Sequence, residues 1–112
     1  MPVIHARIPP LKPGVDAAAV MKTVRAAAGE AVSLPESKIW ATWDVVDQTQ
    51  GCEIVATVVL FEGRTLEMKT KLLEAIAGAL GEGLGVDRGQ MFISLHEVGP
   101  GEVFVGGRVK LK

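Results

Sequence analysis

Apolar and polar positions along the chain run through two similar rounds of strand, helix and strand. VIHARI (3–8) and EIVATVVLF (53–61) are short β-rich runs, the second almost wholly apolar, as in a strand buried on both faces. Val20, Val24, Ala27, Ala28 and Ala31 recur at helical spacing and predict a first helix from about Val15 to Val32, with Gly14 and Asp16 near its start. A second helix is expected from Thr65, an N-cap with Glu67 in the first turn, presenting Leu72, Leu73, Ile76, Leu80 and Leu84 on one side. Met68 stands where a capping box needs an acid or amide. Closing strands are KIWATWDVV (38–46) and QMFISLHEV (90–98), and DQTQG (47–51) is a turn. After GPG (99–101), the alternation of VFVGGRVKLK suits a small hairpin or edge strand.

The rounds superpose at an offset of 52 residues without a gap. Gly29-Glu30 falls on Gly81-Glu82, Ala27 on Ala79, Trp40 on Phe92, Val46 on Val98 and Lys12 on Arg64. The chain therefore reads as one domain, 1–112, with an internal repeat (2–50 and 52–98) and a carboxy-terminal hairpin (99–112). A helix of about eighteen residues between two strands is long enough for a parallel crossover, so each unit is a βαβ. The expected class is α+β: a four-stranded sheet with both helices on one face. The other face, left bare and carrying apolar residues, must meet another chain.

Mean hydropathy is +0.31, high for a chain this short, and points the same way, although Ala and Gly contribute to it. Twelve basic residues face thirteen acidic ones with no basic stripe, which gives nucleic acid nothing to bind. The single cysteine, Cys52, excludes an internal disulfide and suggests a reducing compartment. Met1 runs directly into a strand pattern rather than a signal peptide, and IVATVVLF (54–61) is too short to span a bilayer. A cytoplasmic protein with no membrane partner is expected.

Two places could carry chemistry. Removal of Met1 would leave Pro2 with a free secondary amine, a base working near neutral pH. In LFEGRT (60–65), Gly63 allows a tight turn and puts Arg64 just before a helix N-terminus, where guanidinium and free amides favour a carboxylate. Taken alone, Arg64 would pair with Glu62 or Glu67 in solvent. His5 and His96 lack ligand spacing and read as strand residues, Cys52 has no paired histidine, and GEGLG follows a helix rather than a strand. Trp40 and Trp43 fall on opposite strand faces, one in the core and the other at a pocket or interface.

Leading proline, EGR turn and doubled βαβ together give a chain that resembles the tautomerase superfamily over essentially its whole length. FEGRTLEMKTKLLEAIAGAL through EVGPGEVFVGG is most similar to 4-oxalocrotonate tautomerase. The resemblance implies a homotrimer whose sheets wrap into a central barrel, and catalysis without metal or cofactor. It makes Pro2 the general base or acid and Arg64 the carboxylate-binding arginine. The duplicated positions, Ile54 and Lys12, imply a dead second site. Trp40 stands where the family has a second arginine, with Arg7 and Lys38 as stand-ins. The aromatic lining residue falls on Val103, beside Phe104. Val105 replaces the water-activating glutamate of the dehalogenases, and Lys38 the acid of the decarboxylase.

Trp40, Val103 and Phe104 would wall the amine in apolar surface and Arg64 add positive charge, both lowering the amine pKa. The implied reaction is enol–keto tautomerisation of a small 2-oxo acid, with decarboxylation as the alternative. Two further readings are a ferredoxin-like small-molecule-binding module, to which Pro2 is irrelevant, and a non-catalytic trimer whose pocket Trp40 has closed.

Overall fold

A computed structural model describes residues 2–111; the fate of Met1 and the last hairpin residue, Lys112, lie outside the described residues. Strand β1 is Val3–Ile8, helix α1 Ala17–Ala31, strand β2 Trp40–Val45, strand β3 Ile54–Phe61, helix α2 Leu66–Leu84 and strand β4 Met91–Val98. Phe104–Val105 (β5) and Arg108–Val109 (β6) form a separate antiparallel hairpin. The main sheet runs β2-β1-β3-β4, with β1/β2 and β3/β4 parallel and β1/β3 antiparallel. Each parallel pair is thus formed inside one βαβ unit. That order excludes the ferredoxin-like alternative, in which the βαβ units are split.

The helix starts are set by side chains. Asp16 accepts from the Ala18 amide at 3.0 Å and Thr65 from the Met68 amide at 3.2 Å, each satisfying an amide the helix leaves unpaired. Both helices lie on one face of the sheet. Val20, Met21, Val24 and Ala28 of α1, with Leu72, Ile76, Leu80 and Leu84 of α2, bury against Ile4, Ala6 and Ile8 of β1 and Ile54, Ala56, Val58 and Leu60 of β3.

Features recur 52 residues apart in three dimensions as well. Single-turn 3₁₀ helices precede the closing strands at 36–38 and 88–90. The Leu34 amide bonds the Gly29 carbonyl, and the Val86 amide the Gly81 carbonyl. A Cβ on Gly29 would lie 2.6 Å from the Leu34 carbonyl oxygen, and one on Gly81 2.9 Å from that of Val86. Both glycines are required by this close approach of the returning chain.

One expectation is corrected. Strand β3 is buried on one face only: Ile54, Ala56, Val58 and Leu60 point inward, while Val55 is 44% exposed and Thr57 and Val59 lie half-buried on the open face. The open face carries apolar residues, as expected, and polar ones among them. Register puts Thr42, His5, Thr57 and Ser94 in one polar row across all four strands, between a row holding Trp40, Val3 and Val59 and one holding Val55 and Phe92. Within it His5 bonds Thr42 Oγ1 at 2.6 Å and Asp44 at 3.0 Å, and Ser94 bonds His96 at 2.9 Å. Both histidines are the strand residues the sequence suggested.

Candidate active site

Pro2 is held by the sheet itself. Its carbonyl accepts the Trp40 amide at 3.1 Å, extending the β1/β2 ladder by one bond, and its ring is almost fully buried. Val3, the next residue, is opposite Trp40 on one side and Val59 on the other. Trp40 opens β2 with its side chain on the open face and 46% exposed, whereas Trp43 packs against the core.

Beside Pro2 the carboxy-terminal hairpin folds back over the end of the sheet. Between the hairpin and the sheet lies a groove of about 950 Å³ walled by Val3, Trp40, Phe61, Val103, Phe104 and Val105; the buried ring of Pro2 does not itself line it. Three of the predicted lining residues, Trp40, Val103 and Phe104, are therefore brought together, with Val103 and Phe104 both in the wall. The Trp40 indole lines this groove and is partly exposed to it.

Arg64 follows Gly63, whose φ of 109° makes the turn, and precedes the Thr65 cap of α2. Antiparallel pairing of β1 with β3 carries it to the same end of the sheet as Pro2, but it does not line its own chain's groove. It is half-buried, and among the described residues it has no ion pair. Glu67 bonds Lys71 at 3.4 Å instead. The duplicated cation behaves differently: Lys12 donates to the Gly85 carbonyl, capping the C-terminal end of α2. Ile54 is fully buried in β3.

Arg7 lies on the open face opposite Asp44, four residues along β1 from Val3 and so about 13 Å away. Lys38 is exposed, two residues before Trp40. The Cys52 thiol donates to the Ile54 and Gln90 carbonyls. Among the described residues no group of three His, Cys, Asp or Glu side chains is placed to hold a metal ion. No helix among them is long and apolar enough to cross a membrane.

Phe61, Arg108 and Lys110 are among the groove residues that sequence reasoning missed. Phe61 forms the groove's floor, and Arg108 and Lys110 supply its cations, the Lys110 ammonium standing 5.8 Å from the centre of the Phe61 ring. The signal was present in VFVGGRVKLK, where Arg108 and Lys110 are two apart and share a strand face.

A family model described as tautomerase enzyme matches residues 55–112, just over half of the chain. The chain belongs to the tautomerase family. Solved structures share its fold. A fused 4-OT in a symmetric trimer is 20% identical with a TM-score of 0.85, the match covering 97% of this chain and 95% of that one. Pt0534 inactivated by 2-oxo-3-pentynoate is 13% identical with a TM-score of 0.81 over 97% and 95% of the two chains. Macrophage migration inhibitory factor of Toxoplasma gondii is 19% identical with a TM-score of 0.71 over 96% and 97%. No curated protein matches this tautomerase-family chain.

Proposed function

We propose that the protein interconverts enol and keto forms of a small 2-oxo acid, with the amine of Pro2, freed by loss of Met1, as the proton carrier. The reading rests on the family and on the seat of Pro2, whose buried ring adjoins an aromatic groove through Val3 and Trp40. An α-amino group ordinarily titrates near 8. Burial of the Pro2 ring disfavours the charged form of a freed amine, and a guanidinium brought close by assembly acts in the same direction, which favours a neutral base.

In the reaction, the neutral amine takes the enol hydroxyl proton and the resulting ammonium delivers a proton to carbon, giving the keto acid and restoring the amine. A tuned base of this kind contributes about 10²–10⁴-fold. Arg64 holds the carboxylate or steadies the enolate charge. Lying outside its own chain's groove, Arg64 completes the site as chains assemble into a homotrimer through the open sheet faces. Lys12 and Ile54 leave the duplicated position inactive, so each chain contributes one site. No metal or cofactor enters these steps.

Ultraviolet assays with phenylenolpyruvate and 2-hydroxymuconate test the reading. Wild type is expected to accelerate ketonisation and Pro2→Ala to lose about 10² or more of that rate. Equal background rates for both would defeat it. The inactivator named for Pt0534, 2-oxo-3-pentynoate, is expected to add through its triple bond to the Pro2 nitrogen, leaving the mass of one reagent on the first peptide.

A further inference from the structure

We propose that Arg108 and Lys110, on the carboxy-terminal hairpin, form a carboxylate anchor for an acid with a flat unsaturated body, supplying the cationic contact that the Trp40 position lacks. The proposal rests on reading the groove as the catalytic pocket and names which end of it receives the acid group. It begins from a charge imbalance. The chain as a whole carries a formal charge of −1, yet among the described residues the groove's lining includes Arg108 and Lys110 and no carboxylate side chain. Among the described residues neither cation has an ion pair. Both cations are exposed and line the groove beside the apolar surface of Trp40, Phe61, Val103 and Val105, where they are open to an anion from solvent.

The anchor is also held in place. The Lys110 amide donates to the Val103 carbonyl at 2.8 Å and its carbonyl accepts the Gly101 amide at 2.8 Å, fixing the base of the side chain on both sides. The ammonium is drawn over Phe61, within reach of a cation–π contact. Val105 pairs with Arg108 and Val103 bonds Lys110, so the two residues, two apart in extended backbone with Cα atoms about 7 Å apart, project from the same side of the hairpin. A carboxylate between them takes one charge-assisted hydrogen bond from each. The attached chain then lies along the Trp40 and Phe61 rings, which suit a planar conjugated group.

Calorimetric titration with cinnamate, an unreactive flat acid, tests this without turnover. Wild type is expected to bind cinnamate and to bind uncharged cinnamamide at least tenfold more weakly. Lys110→Gln and Arg108→Gln should each weaken cinnamate about tenfold and leave cinnamamide unchanged, the loss of one charge-assisted bond. Lys110→Arg should restore wild-type affinity and exclude a merely unfolded hairpin. Absence of cinnamate binding, equal binding of acid and amide, or wild-type affinity in both Gln variants would overturn the proposal. The expected binding pattern without any enol–keto turnover would retain the anchor and defeat the catalytic reading alone.

Discussion

Lys12 and Arg64 occupy duplicated positions after β1 and β3, but their surroundings divide them. The lysine is engaged by the Gly85 carbonyl at the end of α2, while the arginine has no ion pair among the described residues. Substitution should separate the two roles. Arg64→Ala is expected to lower kcat/KM about 10- to 100-fold, the worth of one charge-assisted contact, with an unchanged urea midpoint. Lys12→Ala should leave kcat/KM untouched and reduce stability by about 1 kcal/mol or less through loss of a helix cap. A drop in activity with Lys12→Ala and none with Arg64→Ala would reverse the assignment. The meeting of Pro2 and Trp40 was legible in the sequence because the repeat sets β1 beside β2, whereas Val103 and Phe104 were named only through the resemblance to the tautomerase superfamily. Arg108, Lys110 and Phe61 were not legible, because their meeting depends on how far the hairpin folds back, a distance that no local pattern encodes.

Among the elements, the helices were the most legible, since Asp16 and Thr65 mark their starts chemically and apolar spacing marks their buried faces. Strand β3 misled because hydrophobicity alone does not distinguish a face covered by helices from one left for another chain. Val55 and Val59 are as apolar as their inward neighbours. Shared glycines give a sharper test of how helix and returning loop pack. Gly29→Ala gains helix propensity of about 1 kcal/mol but drives a Cβ to 2.6 Å from the Leu34 carbonyl, so a net loss of about 1–3 kcal/mol is expected. Gly78 in α2 has nothing within 4 Å of an added Cβ, so Gly78→Ala should stabilise by about 0.5–1 kcal/mol. Urea unfolding midpoints at constant m-value measure both, and stabilisation by Gly29→Ala would refute the packing described.

For the whole molecule, the open sheet face is the feature a single chain leaves unexplained. Trp40 and Val55 are about half exposed there and Phe92 63% exposed, around a central row of Thr42, His5, Thr57 and Ser94. Exposed apolar residues flanking a polar row, with Arg7, Asp44 and His96 among them, fit assembly in which this face is covered by other chains. Light scattering should therefore report a particle of three 11.8 kDa chains, and Phe92→Asp should shift it toward smaller species. A wild-type monomer at micromolar concentration would contradict the assembly and, with it, the completion of the site by Arg64. Every part of the functional account converges on one nitrogen. The most direct test is a nitrogen-15 NMR titration of Pro2 in the purified protein. A chain beginning at Pro2, with its amine titrating below the 7.7–8.0 of an ordinary α-amino group, is predicted. A retained Met1, which makes that nitrogen a non-titrating amide, or an amine titrating at or above that range, would contradict it.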